Sequence, residues 1–231
     1  MKVRIVIPAR MASTRLPRKV LLKETGKPLV QHVVERARLV KGAQGVLVAT
    51  DHDDIRSAVE GFGGEAVMTS ADHPSGSDRV AEAVRKHPCD VVVNLQADEP
   101  EIDPGDVDAL IGAMTPDVPM ATLVFDGMPE EEQGTPSVVK AVVKDGWAVD
   151  FRREPTPGGL RHLGIYAYRT DFLLALTKLP PSAREKERRL EQMRALDNGH
   201  RIRAVLARRP GAGIDTPEDY ARFLKRWRSK G

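Results

Sequence analysis

The segment most informative about the architecture is residues 91–100, which read VVVNLQADEP. Its first part, Val91–Leu95, is a continuous apolar run of the kind that a strand buried on both faces requires. The segment ends in two adjacent carboxylates, Asp98 and Glu99, and in Pro100, which stops the strand. A buried strand that delivers acidic side chains to its carboxyl end indicates an open α/β sheet with a polar site at that edge.

Similar strands occur on both sides of this segment and alternate with helical patterns. Strands are predicted at Val3–Ile7, Val46–Thr50, Val67–Met68 and Met120–Val124. Helices are predicted at 28–40, 53–60, 78–86 and 104–114. The β-α-β-α order predicts an α/β fold with a mostly parallel central sheet and helices on both faces.

The pattern changes after about Asp126. The next elements are predicted to be a β-hairpin with strands at 138–143 and 147–151, a strand at 164–168, a helix at 184–198, a strand at 201–207 and a helix at 216–228. The dipeptide Asp145-Gly146 favours the two-residue hairpin turn. We therefore expect one domain over residues 1–231, with a small antiparallel insertion at about 126–168.

The composition is that of a globular protein with a small positive charge. The chain has 231 residues, 36 Lys and Arg against 33 Asp and Glu, and a formal net charge of +3. Aromatic residues make up only 4%, too few for the stacking surfaces of single-strand binders. No apolar run approaches the roughly 20 residues of a membrane span, and the single cysteine, Cys89, excludes an internal disulfide framework. We expect a cytoplasmic protein with no membrane insertion and no nucleic-acid partner.

A basic loop follows the first strand, where residues 8–19 read PARMASTRLPRK. The spacing of Arg10, Arg15 and Lys19 would let the three cations converge on a polyphosphate, with backbone N–H groups between them. Neither G-x-G-x-x-G nor G-x-x-x-x-G-K-[ST] occurs, which counts against dinucleotide binding and P-loop chemistry. The alternative interpretation is a solvated basic loop.

Acidic residues at two places have the chemistry of a divalent-metal site. Mg²⁺ in proteins typically uses one or two carboxylates together with substrate phosphates, and Asp98 is placed for this role. Asp215 lies directly before the last predicted helix. The alternatives are that the acid after the fourth strand caps a helix, and that Asp215 or Thr216 caps the last one.

A polar loop at residues 69–79 reads TSADHPSGSDR. Gly76 would let a ligand approach the backbone closely, and the N-terminus of the helix that follows would favour a phosphate or a base carbonyl. His73 and Asp78 are interpreted as local capping groups, His162 by itself as a structural histidine, and Cys89 as an inert thiol.

Taken together, these segments resemble the 3-deoxy-manno-octulosonate cytidylyltransferases, also called CMP-Kdo synthetases, over nearly the whole chain. The resemblance rests on IPAR at 7–10, STRLP at 13–17, Lys19, ATD at 49–51, SGSDR at 75–79, NLQ at 94–96, DEP at 98–100, VK at 139–140, HLGIY at 162–166, LEQ at 190–192 and DTPED at 215–219. It implies a nucleotidyltransferase-like, Rossmann-related fold, a homodimer, and transfer of CMP from CTP to an acidic keto-deoxy sugar.

The resemblance also implies roles for particular residues. The implied nucleotide-binding set is Ala9, Arg10, Ser13, Arg15, Lys19, Ser75, Gly76 and Gln96. The implied sugar-binding set is Gln96, Arg153, His162, Tyr166, Glu191 and Gln192. The implied metal ligands for Mg²⁺ are Asp98 and Asp215, and the implied catalytic residues are these two together with Arg15 and Lys19.

The sequence departs from the family pattern in several places, and two of them bear on activity. Ala97 stands where the family has glycine, and the loop after Pro157 is shorter than usual. Two alternatives to the Kdo enzyme are therefore a cytidylyltransferase for a nine-carbon, sialic-acid-type sugar and a catalytically silent nucleotide-binding relative.

Overall fold

The computed structural model describes residues 1–229, so the last two positions of the expected single domain lie outside the described residues. The strands are β1 (Val3–Ala9), β2 (Val46–Thr50), β3 (Glu65–Met68), β4 (Val91–Asn94), β5 (Met120–Phe125), β6 (Lys140–Lys144), β7 (Trp147–Arg152), β8 (Leu160–Arg169) and β9 (Ile202–Leu206). The helices are α1 (Leu29–Ala37), α2 (Asp53–Gly61), α3 (Gly76–Lys86), α4 (Pro104–Gly112), α5 (Glu130–Gln133), α6 (Thr170–Leu176), α7 (Ala183–Arg188), α8 (Met193–Asp197) and α9 (Pro217–Arg228), with a 3-10 turn at Lys19–Leu21.

The strands form one sheet in the order β3-β2-β1-β4-β8-β5-β9-β7-β6. The pairs β1–β2, β1–β4, β2–β3 and β5–β9 are parallel, whereas β8 runs antiparallel to both of its neighbours, β4 and β5. The prediction of a mostly parallel sheet is therefore wrong, and the sheet is mixed. Local periodicity identifies a strand but carries no information about the direction of the strand beside it.

The segment 126–168 does not form a separate antiparallel insertion. Its hairpin, β6–β7, does form, and Asp145 and Gly146 adopt the positive φ values, 52° and 77°, that a tight hairpin turn needs. However, β8 lies in the middle of the sheet and also pairs with β6. As a result, β8, β5, β9, β7 and β6 close on one another as a five-stranded ring.

Helices cover both faces of the sheet, as predicted. Ile5 belongs to a buried cluster that includes residues of α1, α2 and α4, while Val6, the next residue of β1, belongs to a second cluster with α3, α6 and α8. This alternation is the period-2 pattern of a strand with two buried faces. None of the helices in residues 1–229 combines the length and the apolar character that crossing a bilayer would require.

The predicted helix at 184–198 is in fact two short helices, α7 and α8. The break is at Arg189, whose φ of 54° is left-handed and ends α7. Ser182 and Glu185 form a capping box that starts α7. The break leaves residues 190–192 outside both helices, beside the N-terminus of α3.

Candidate active site

A cleft with a cavity volume of 370 Å³ lies at the carboxyl ends of β1 and β4. The carboxyl ends of these parallel strands meet at one edge of the sheet, where ligands bind in open α/β folds. The cleft is lined by Pro8, Arg10, Ala12, Ser13, Thr14, Arg15, Lys19, Val20, His73, Ser75, Gly76, Arg79, Gln96, Ala97, Asp98 and Asp215. Most of the residues to which the resemblance assigns nucleotide or metal binding therefore line this cleft.

The cations of the basic loop lie at two depths in the cleft. Arg10 and Arg15 are exposed at the rim, whereas the Lys19 side chain is only 11% exposed and points inward. Ala9, the last residue of β1, is buried and does not line the cleft. Arg18 pairs with Asp54 outside it. The loop therefore forms one wall of the cleft, although Arg10, Arg15 and Arg18 remain exposed to solvent.

Lys19 joins the two acidic positions. Its Nζ lies 2.7 Å from Oδ2 of Asp98 and 3.2 Å from Oδ1 of Asp215, and it donates to the Ile214 carbonyl oxygen at 2.7 Å. Arg15 Nη2 lies 3.1 Å from the same Asp215 oxygen. Two carboxylates far apart in sequence thus face one ammonium group.

Neither acid caps a helix. Thr216 caps α9 by accepting a hydrogen bond from the Asp219 N–H, and Asp103 caps α4. The interpretation of Asp98 or Asp215 as a capping residue is therefore wrong. Both carboxylates are left free to face the cleft, and beneath them Leu16 and Ile214 anchor the two loops in one apolar cluster with Phe223.

Glu99 is a half-buried residue beside this pair. Burial, reinforced by the negative charge of Asp98, raises the pKa of Glu99 to about 8. Its Oε2 atom is buried and has no hydrogen-bond partner in the part of the chain that the structure describes. Sequence reasoning left Glu99 out of the site, although its position next to Asp98 on the strand end was a usable signal.

The loop at 69–79 forms the opposite wall. Ser75 caps α3, which begins at Gly76. A methyl group built on Gly76 would lie 3.4 Å from the Pro8 ring. His73 and Arg79 also line the cleft, which the sequence analysis missed. His73 Nε2 lies 2.5 Å from Oε2 of Glu82, so it is held by α3 rather than capping a helix.

Arg79 ties this wall to the end of β2. It is buried, and it donates to Oδ2 of Asp51 and to Oγ1 of Thr69, both at 2.6 Å. We expect Arg79→Met to lower the free energy of unfolding by about 3 kcal/mol, because it leaves Asp51 without its partner. Urea denaturation measures this loss. The control Arg56→Met breaks an exposed pair with Asp53 and should cost under about 1 kcal/mol; equal losses would contradict the assignment.

Glu82 links the stability of this wall to pH. Burial acts to raise the pKa of Glu82, but hydrogen bonds from Lys86, the Ser70 N–H and His73 outweigh it and lower the pKa to about 2. Because the folded-state pKa is depressed, this stabilisation is present above the ordinary value of 4.5 and is lost as the pH falls toward 2. We therefore expect Glu82→Gln to be less stable than the parent at pH 7, with the difference narrowing below pH 4.5 in urea titrations. A difference that stays constant with pH would contradict this.

Four of the predicted sugar-binding residues form a second group next to the cleft. Ser75 Oγ donates to Oε1 of Glu191 at 2.9 Å, which connects the cleft to this group. Gln192 is buried, with an unpartnered Nε2 among the described residues. The rings of His162 and Tyr166 pack at 5.4 Å, and burial lowers the pKa of His162 to about 3, so the histidine is neutral at pH 7.

Arg153, in contrast, is not brought to this group. It donates to the carbonyl oxygens of Pro136, Arg188 and Arg189 and lines a different cavity. Gln96 does line the main cleft, with its Nε2 donating to Asn94 at 3.1 Å. The predicted sugar-binding set is therefore divided between three places.

Ala97 does not strain the backbone. It is buried, lines the cleft, and is absent from the residues with positive φ, so the family's glycine is not needed here for a left-handed conformation.

Comparison with known proteins shows which family this chain is similar to. The family model described as "Cytidylyltransferase" matches residues 4–202. The chain is 42% identical to a 3-deoxy-manno-octulosonate cytidylyltransferase of Geobacter sulfurreducens, over 98% of this chain and 99% of the relative. It is 43% identical to an 8-amino-3,8-dideoxy-manno-octulosonate cytidylyltransferase of Shewanella piezotolerans, over 95% of this chain and 96% of that one. 

A solved structure extends the likeness to the whole fold. The structure of a CMP:2-keto-3-deoxy-manno-octonic acid synthetase complexed with CTP superposes with a TM-score of 0.94, at 42% identity, and covers 100% of both chains. The chain with this mixed sheet and cleft is thus similar to nucleotidyltransferases over its full length. This protein belongs to the cytidylyltransferase family, among the 3-deoxy-manno-octulosonate cytidylyltransferases.

Proposed function

We propose that the protein activates 3-deoxy-manno-octulosonate with CTP, giving the CMP-sugar and pyrophosphate. The observation that carries the proposal is the convergence of Arg10, Arg15 and Lys19 with Asp98 and Asp215 on one cleft at the strand ends. The full-length similarity to a synthetase solved with CTP supports the choice of nucleotide.

The chemistry is an in-line displacement between two anions. The anomeric hydroxyl at C2 of the sugar attacks the α-phosphorus of CTP and gives up its proton to solvent, the new P–O bond forms, and the bond between the α-phosphorus and pyrophosphate breaks. The reactants repel each other, so the cleft has to neutralise the phosphate charge before they come within reach. Arg10 and Arg15 at the rim, and Lys19 deeper in the cleft, are placed to do this.

The base and the sugar would bind at different places along the cleft. Ser75 and Gly76, at the N-terminus of α3, offer backbone N–H groups and a close approach to the cytosine. The sugar acid would lie between Gln96 and the group formed by Glu191 and Tyr166, because Ser75 connects that group to the nucleotide wall. The implied role of Arg153 would require it to release its backbone partners.

Asp98 and Asp215 fit a Mg²⁺ ion. Their carboxylate oxygens already share one cation, the Lys19 ammonium, in this structure. Mg²⁺ is usually bound by one or two carboxylates together with substrate phosphates. Residues 1–229 contain no group of three or more His, Cys, Asp or Glu arranged to hold a metal, so water molecules and, with CTP bound, the substrate phosphates would complete the coordination. When bound, Mg²⁺ would supply positive charge to the phosphate oxygens.

Pyrophosphate release tests the proposal. Purified protein is incubated with CTP, Mg²⁺ and, separately, 3-deoxy-manno-octulosonate, its 8-amino-3,8-dideoxy analogue and a nine-carbon sialic acid, with UTP and sugar-free reactions as controls. We expect the fastest release with CTP and the eight-carbon acid. Preference for either other sugar would reassign the substrate, and CTP binding by calorimetry without release from any mixture would favour the silent relative. The homodimer and the cytoplasmic location stay predictions from the resemblance.

A further inference from the structure

Glu99 lies where the two acidic segments of the cleft come together. The Ile214 N–H donates to the carbonyl oxygen of Asp98 at 2.9 Å, so the chain before α9 is pinned to the end of β4 through the backbone. The next residue along that chain is Asp215. Whatever fixes residues 211–214 against β4 therefore fixes the separation of the two carboxylates that face Lys19.

The carboxyl group of Glu99 fills the space beside residues 211–213. A methyl group built on Gly213 would lie 2.8 Å from Oε1 of Glu99, and one built on Gly211 would lie 3.8 Å from Oε2. The backbone N–H of Ala212 interacts with the same carboxyl group. The segment therefore packs on Glu99 along three consecutive residues, two of them glycines that leave room for the acid.

The glycine at 213 is explained by this contact alone. Gly211 has a φ of 69°, a conformation that favours glycine by itself, whereas Gly213 is not among the residues with positive φ. Within residues 1–229, and apart from the neighbours along the chain, the only atoms within 4 Å of a methyl group at 213 are Oε1 and Cδ of Glu99. An alanine at 213 would thus be acceptable to the backbone, but it would require the carboxyl end of Glu99 to shift away from the segment.

Burying Glu99 has a cost in stability that packing does not require. Its Oε2 atom makes no hydrogen bond within residues 1–229, and a buried polar atom without a partner costs about 1–3 kcal/mol. Arg161 is near it but makes a two-point ion pair with Glu132, at 3.0 and 2.8 Å. A buried polar atom without a partner calls for an explanation, and a role beside the cleft would supply one.

We propose that Glu99 is a positioning residue, which holds residues 211–214 against the end of β4 and so sets Asp215 relative to Asp98 and Lys19. The role rests on the proposed function, because it serves the geometry of that same cleft. Glu99 does not line the cleft itself, so it acts through the segment and makes no contact with substrate.

Four variants test the role: Glu99→Gln, Glu99→Ala, Gly213→Ala and the double variant Glu99→Ala/Gly213→Ala. We expect Glu99→Ala to lower kcat about 10²-fold, the size of effect that a misplacement of about 1 Å produces. The KM for CTP should change less than kcat, because Arg10, Ser75 and Gly76 are untouched, although Arg15 and Lys19 contact Asp215. Glu99→Gln keeps the shape and the carbonyl oxygen, and should stay within about twofold of the parent.

The double variant tests the contact itself. Gly213→Ala alone should lower kcat, since the new methyl group meets Oε1, whereas in the Glu99→Ala background it should cause no further loss. Hydrogen–deuterium exchange measured by mass spectrometry gives a readout independent of turnover: peptides covering residues 211–216 should exchange about tenfold faster in Glu99→Ala, with no change in peptides from β2.

Three results would overturn the role. The first is that Glu99→Ala keeps the kcat and the hydrogen exchange of the parent. The second is that kcat falls as much in Glu99→Gln as in Glu99→Ala, which would indicate a role for the charge. The third is that the kcat losses of Glu99→Ala and Gly213→Ala multiply in the double variant. If the parent releases no pyrophosphate with any sugar, the proposed function fails, but the exchange data still decide whether Glu99 holds the segment.

Discussion

Asp98→Asn is expected to reduce pyrophosphate release about 10³-fold, the upper end of the range for removing a group that stabilises transition-state charge. The side chain keeps its size and loses its negative charge. It is 28% exposed, and Lys19 retains its contacts with Asp215 and the Ile214 carbonyl, so no buried ion is left unpaired. The variant should therefore fold like the parent, as judged by circular dichroism and urea denaturation, while turnover is lost.

The matched control is Asp54→Asn, which removes a carboxylate that also pairs with a cation of the basic loop, Arg18, but lies outside the cleft. Its kcat should stay within about twofold of the parent, because exposed ion pairs contribute little. If Asp98→Asn keeps near-parental activity, Asp98 is not part of the reacting centre, and the cleft would need another source of charge neutralisation.

The strand ends were the part of the site that sequence could predict. The apolar run at 91–95 and its acidic end identify β4 and Asp98 together, because a strand buried on both faces has an unmistakable composition and its last residues must emerge at the sheet edge. The basic loop after β1 followed from the same logic. Both predictions depend only on residues adjacent in sequence.

What could not be predicted depends on contacts between distant segments. The position of β8 between β4 and β5 arises from strand pairing, which a period-2 pattern leaves open. The left-handed Arg189 that splits the helix at 184–198 has no sequence signal, since arginine does not favour that conformation. The spacing of Ser182 and Glu185 does fit a capping box, a signal for the start of α7 that the predicted start at 184 did not use. The role of Glu99 depends on Gly213, and the two segments meet only in the fold.

Lys19→Met is expected to have opposite effects on turnover and on cation binding. Turnover should fall about 10²-fold, because a positive charge deep in the phosphate-binding cleft is removed. Without nucleotide, however, the variant should bind Mn²⁺, a probe for Mg²⁺, at least about tenfold more tightly than the parent, a difference of about 1.4 kcal/mol. In the parent the Lys19 ammonium occupies both carboxylates, at 2.7 and 3.2 Å, and a metal ion has to compete with it. Electron paramagnetic resonance of free Mn²⁺ measures the affinity directly.

The control Lys27→Met removes an ammonium that pairs with Glu35 away from the cleft, and should change neither quantity. Unchanged Mn²⁺ affinity in Lys19→Met would mean that Asp98 and Asp215 are not metal ligands in the free protein. If the expected gain is found, the ammonium competes with the metal as long as the cleft holds no phosphate. A bound triphosphate offers Lys19 an alternative anionic partner, so the metal should bind more tightly once CTP is present. The parent should then show Mn²⁺ affinity that increases with CTP, whereas in Lys19→Met that increase should be smaller, since the competing charge is already gone.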